Sequence, residues 1–118
     1  MAYSEFLADR IRQVFKEKKV HFEEKKMMGG LCFLVDSKMC AGVVAESLMA
    51  RIGPEMHAST LGKSGCREMD FTGRAMKGYV FVDPEGIDKD LELAEWLQMC
   101  LDFNPAAKAS KKRGGNGN

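Results

Sequence analysis

The sequence predicts one two-layer α+β domain, an antiparallel sheet with its helices gathered on one face, in the order α-β-β-β-β-α-β-β-α. Three observations point there. Short apolar runs of strand length follow one another with turn signals between them. Segments with helical spacing stand at both ends and once in the middle. The chain has 118 residues, 45% of them hydrophobic and 30% charged, which suits a single domain able to bury a core.

The elements follow in order. Residues 3–18 place Phe6, Leu7, Ile11, Val14 and Phe15 at helical spacing, with Ser4 as N-cap and Glu5 in the first turn. Residues 20–26 alternate weakly, Val20 and Phe22 against His21 and Glu23, and are read as a strand. Residues 31–35 form a clearer strand, Asp36-Ser37 a two-residue turn, and 38–45 the returning strand. That turn pairs Phe33 with Cys40 and Cys32 with Ala41, putting Cys32 and Cys40 on opposite faces. Residues 48–52 make a fourth strand. A short helix opens at Gly53-Pro54-Glu55 and stops at Gly62, a candidate C′ glycine.

Residues 67–71 are read as a fifth strand, Thr72-Gly73 as a turn and 78–82 as a sixth strand. Asp83-Pro84-Glu85-Gly86 is a turn by composition. Asp88 is the expected cap of the last helix, which runs to Phe103. Its polar residues, Glu92, Glu95, Gln98 and Asp102, form one narrow strip. The apolar face is wider than one sheet contact needs. Either the first helix or a partner subunit is expected to cover the excess. The domain is expected to span 1–103, with 104–118 as a disordered basic tail.

Composition narrows the function. The net charge of +1 divides into four bases and no acid in 104–118 and a mildly acidic remainder. No apolar run reaches the ~18 residues of a membrane span, and the N-terminus lacks the pattern of a signal peptide, so a cytoplasmic protein with no membrane partner is expected. Cys32, Cys40, Cys66 and Cys100 match no zinc spacing and read as buried thiols. No metal is expected. No Gly-x-Gly-x-x-Gly, phosphate loop or Gly-x-Ser-x-Gly elbow occurs, so no cofactor and no enzymatic activity are expected. His21 and His57 have no triad-like or metal-like neighbour and read as surface histidines.

Gly29-Gly30 leads into a strand, which favours a bulge or positive-φ turn over an anion cradle. Nine methionines suit core filling, with an adaptable binding face as the alternative. Lys26, Arg51, Arg74 and Lys77 are the candidate binding residues. If they converge they form a basic pocket, and if not each pairs locally with Asp70, Asp83 or Glu85.

Four segments together are distinctive: Lys26-Met-Met-Gly-Gly-Leu-Cys-Phe33, Met39-Cys-Ala-Gly-Val-Val44, Leu48-Met-Ala-Arg-Ile-Gly-Pro54, and the run from Met69 to Gly86. Over about residues 3–103 the chain resembles the N-terminal domain of the TfoX/Sxy competence regulators, in the form of a stand-alone small member. The resemblance implies a two-layer α/β fold similar to that of type III secretion chaperones, often dimeric. Full-length members activate DNA-uptake genes and add a C-terminal DNA-binding domain, which the 15 residues after Phe103 are not expected to form. The resemblance implies no catalytic residues. Three functions follow as expectations. The first is a regulatory or adaptor domain, a homodimer that binds an unidentified protein partner. The alternative is a DNA- or RNA-associated regulator using the basic tail with Arg51, Arg74 and Lys77, a weak interaction at four tail charges. An enzyme comes last, for want of a base or nucleophile.

Overall fold

The structure, a computed structural model, describes residues 3–27, 29–71 and 74–107, without the side chains of 70, 71 and 74–76. The order is α1 (Glu5–Glu17), β1 (Glu23–Met27), β2 (Gly30–Val35), β3 (Lys38–Val44), β4 (Ser47–Arg51), α2 (Pro54–Thr60), β5 (Cys66–Phe71), β6 (Arg74–Val82) and α3 (Asp90–Phe103). Single 3-10 turns follow β6 and α3. The strands form one antiparallel sheet in the order β1-β2-β3-β4-β6-β5. The α+β class and the element order are those the sequence predicts.

The Ser4 hydroxyl accepts from the Leu7 N–H at 3.1 Å, so α1 starts where its cap was expected. Leu7, Ala8, Ile11, Val14 and Phe15 then face the sheet. The strand expected from residue 20 begins instead at Glu23. Lys19 adopts φ 60° and the Val20 N–H returns to the Phe15 carbonyl at 2.9 Å, so Val20 and Phe22 serve to close the helix. Phe22 completes an aromatic cluster with Phe15 and Phe33, ring centroids 5.4 to 6.1 Å apart. β1 proper, Glu-Glu-Lys-Lys-Met, is an edge strand whose four charged residues are all exposed.

The two-residue turn at Asp36-Ser37 is present, both residues at positive φ, and it sets the expected pairing Val35–Lys38 and Leu34–Met39. The predicted Phe33–Cys40 pair does not form. A bulge inserts at Cys40, and Phe33 pairs with Ala41 and Cys32 with Gly42. Cys32 and Cys40 still lie on opposite faces, one in each of two apolar clusters.

The main core lies between the sheet and helices α1 and α3. The opposite face holds a second cluster, in which Cys32, Met39, Met49 and Met69 are buried and Met27, Leu34, Val44, Tyr79 and Phe81 half-buried. Met49 lies across Gly42, where an added Cβ would stand 2.7 Å from its Cε. Methionine is thus the filler of this face, as its flexible chain suits. Met28 and the Met76 side chain lie outside the described residues, as does the expected turn at Thr72-Gly73.

Two helix ends differ from expectation. The N-cap of α3 is Lys89, not Asp88, and its N–H donates at 3.1 Å to the carboxylate of Glu92, the third residue of the helix, which accepts as in a capping box. Gly62 is not a left-handed cap, because Leu61 closes α2 in right-handed geometry. The wide apolar face of α3 is shared out. Leu93, Trp96, Leu97 and Cys100 are buried, α1 packs alongside, Leu91 is exposed, and Met99 and Phe103 are half-buried. The expected domain end at residue 103 falls inside the packing. Asn104 is buried and donates to the Val35 carbonyl at 3.0 Å, and Ala107 is buried. The rest of the expected tail, 108–118, lies outside the described residues.

Candidate functional site

Where β4 runs into α2, the chain is held by one residue of β6. Gly78 accepts from the N–H groups of Ile52 and Gly53 at 2.9 and 3.1 Å, and its own N–H donates to His57 Nδ1 at 2.9 Å. Gly78 has φ 92° and Gly53 φ 91°, conformations that favour glycine. A Cβ on Gly78 would meet the Gly53 carbonyl carbon at 3.1 Å, and one on Gly53 would overlap the Phe103 ring. The backbones of β6 and β4 and the end of α3 therefore meet with no space for a side chain between them. The sequence suggested Gly78 as the start of a strand. It is the bend within a longer one.

This node sets the side chains around it. Arg51 pairs with Tyr79 across β4 and β6. Its guanidinium donates to the Met39 carbonyl at 3.2 Å and lies 5.3 Å from the Tyr79 ring and 5.9 Å from the Phe103 ring. Those distances are in the range of cation–π attraction, so the charge is fixed in place. Arg51 and the exposed Lys77 line one side of a groove of about 330 Å³, with Tyr79 and Phe103. A second groove, about 470 Å³, adjoins it. Ile52, Met56, Met99 and Phe103 supply its apolar walls, and Glu55 and Asp102 its charges. Gly53, Pro54, Phe103 and Ala106 line both, so the two grooves adjoin across a shared wall, a trough in two parts beside α2 and the end of α3.

The four candidate cations do not all converge. Arg51 and Lys77 meet at the trough. Lys26 is on β1, separated from β4 by two strands, and pairs with Leu31 on the helix-covered side, whereas Arg51 and Tyr79 are on the other. The Arg74 side chain lies outside the described residues, as does that of Asp70. Of the expected local partners, Asp83 is engaged elsewhere. It takes Arg67 Nε at 3.0 Å and the Ser47 hydroxyl at 2.7 Å, which hold its carboxyl below the usual range, Arg67 foremost. Gly29 has φ 80° and Gly30 lies against the Val43 carbonyl, so this pair serves the β1–β2 turn.

His57 is not the surface residue expected. It is 7% exposed, with Nδ1 accepting from Gly78 and Nε2 3.3 Å from the Glu68 carboxylate. The Gly78 contact puts the proton on Nε2, facing Glu68. Both ring nitrogens are thereby occupied, and no lone pair is left for a substrate proton. A signal was present in the sequence: His57, Thr60 and Leu61 share one face of α2 by spacing, and Thr60 is fully buried. His21 is exposed. The thiols are buried or half-buried. Burial pushes Cys32 up to about 11 and raises Cys66, while contact with Cys40, and then burial, raises Cys100.

The chain matches the family of the TfoX N-terminal domain over residues 17–104. It belongs to that family. No curated protein and no solved structure matches it significantly. The matched part of the TfoX N-terminal domain covers the whole sheet, α2 and α3, and every trough residue except Ala106 and Ala107. Most of α1 precedes it, so the match is shorter at the front than the sequence resemblance suggested. No described helix is long and apolar enough to cross a membrane.

Proposed function

We propose that this TfoX N-terminal domain is a non-enzymatic, cytoplasmic regulatory or adaptor module that works by binding a protein partner, and that it forms a homodimer. The observation that carries the reading is the pair of adjoining grooves beside α2 and the end of α3, together the trough. It is apolar along its length, with half-buried Met99 and Phe103 and the 41% exposed Met56 along it, and charged at its rims. Such a surface suits a protein segment better than chemistry, because the nearest base, His57, has both nitrogens engaged. The nucleic-acid alternative draws less support. Lys77 is exposed, but Arg51 is packed against two aromatic rings and a carbonyl, and Lys26 is remote.

Site-specific photocrosslinking in cells tests this, with p-benzoylphenylalanine placed at Met56 and, as a control, at Lys16 on the exposed side of α1. A discrete protein adduct from position 56 and not from position 16 is expected. A self-adduct identifies a second copy as the occupant. A nucleic-acid adduct, or none, overturns the reading.

A further inference from the structure

The groove between α2 and the end of α3 has a chemistry of its own. Ile52, Met56, Met99 and Phe103 wall an interior of about 470 Å³, a volume in the range of sites that enclose a small ligand or a few side chains. Two of its lining residues are acids, Glu55 and Asp102, and none is a base. Both acids are exposed, and among the described residues neither makes an ion pair. Glu55 is in the first turn of α2, where a helix favours an anion. Asp102 is placed against that rule. It is in the last turn of α3, which holds no base, so its charge adds to the negative end of the helix. Gln98 donates to it at 2.9 Å, and Lys18 stops at the Gln98 amide oxygen, 2.7 Å away. Lys38 reaches the carbonyls of Asn104 and Pro105 at 3.3 Å and not this carboxylate. An anionic ligand would meet repulsion here, and a neutral apolar one would leave Asp102 uncompensated. The complement is a cation that arrives with an apolar group.

We infer that this groove takes a segment of a partner protein in which an apolar side chain is flanked by lysine or arginine. The apolar side chain lies among Met56, Met99 and Phe103, and the basic ones meet Asp102 and Glu55. The inference rests on the protein-binding reading above and specifies the chemistry of the partner.

The test is fluorescence anisotropy with the full chain and labelled peptide pools. The central positions are drawn from Leu, Ile, Met and Phe, so no single apolar sequence is presumed, and the flanks are lysines, glutamates or glutamines. A further pool keeps the lysines around a serine core. The lysine-flanked apolar pool should bind tightest, by about fivefold over the glutamine pool, the size of one exposed ion pair, and the margin should shrink at high salt. The serine-core pool should bind far more weakly. Asp102→Asn, which can still accept from Gln98, should narrow the margin, and Asp102→Lys should turn the preference towards glutamate flanks. Met56→Ser should weaken all three apolar pools alike. Both positions are exposed, so these variants should fold. Equal affinity whatever the flanks, or a preference of the wild type for glutamate, overturns the inference and leaves the protein-binding reading standing. Phenethylamine binding as tightly as the lysine-flanked pool overturns it in favour of a small amine. Binding of no pool overturns it too, and the crosslinking result then decides the broader reading separately.

Discussion

The backbone N–H of Gly78 donates to Nδ1 of His57 across 2.9 Å, tying the bend in β6 to the first turns of α2. The imidazole is buried and supplies that N–H with its acceptor, so its removal leaves an unsatisfied group under the floor of the trough. His57→Ala should cost about 2–3 kcal/mol in urea unfolding. His57→Asn, whose side-chain oxygen can occupy the place of Nδ1, should recover part of that loss. Equal stability of the alanine variant and the wild type would show that the bond contributes nothing.

Gly53→Ala places a methyl group where Phe103 sits and asks alanine to adopt φ 91°. A loss of about 1–3 kcal/mol is expected, with Phe103 displaced from Arg51. Gly62→Ala is the control. Its Cβ would meet only the Ser59 carbonyl, at 3.8 Å, and its backbone is not left-handed. That variant should be neutral or stabilised by about 0.5 kcal/mol. A Gly62→Ala variant as damaged as Gly53→Ala would reinstate the left-handed cap the sequence suggested.

Two carboxylates tie elements together and should shape the acid limb of stability. Glu24 is held below its usual range chiefly by Arg12, with which it makes a bond of 2.6 Å from α1 to β1. Asp83 is held low by Arg67 and then Ser47. With the folded values below the unfolded ones, both stabilise the fold above the ordinary carboxylate range. That stability fades as pH falls from about 5 through the folded values. Both groups are partly exposed, so each effect is modest. Thermal unfolding between pH 7 and pH 3 should show the decline, and Arg12→Gln should flatten it. An identical pH profile in that variant would remove the Arg12–Glu24 pair from the account.

Thiol titration with a disulfide reagent at pH 8 should find the native chain slow to react. Burial raises Cys32, contact with Cys40 and then burial raise Cys100, and Cys66 is raised but only half-buried, so it should react first. All four thiols should react promptly in denaturant. Fast reaction of Cys32 in the native state would mean that the methionine-rich face opens.

Much of the fold was legible because its signals are local. Ser4 before a helical stripe, Asp36-Ser37 between apolar runs and Pro54 after a glycine each act within a few residues. The errors came from longer range. Nothing near Cys40 announces that it will be the extra residue in its strand, because the bulge is a property of the pairing with β2. His57 looked exposed because its partners, Glu68 and Gly78, are 11 and 21 residues away. The candidate site was half legible. Arg51 and Lys77 do meet, and Lys26 fails because sheet order, which sequence spacing does not reveal, puts it across the molecule. The acidic half of the trough was missed, since Asp102 was read as part of the polar strip of a helix.

The exposed charges of β1 bear on how the protein behaves when crowded. A sheet edge left bare invites another strand, and chains that add to one another in this way grow into fibres. Here Glu23, Glu24, Lys25 and Lys26 occupy that edge in succession. An incoming strand would have to strip water from all four. Concentrated solutions of the domain should therefore resist polymerisation through this edge, and replacing the four charges with threonine or valine should make it prone to fibrillar aggregation.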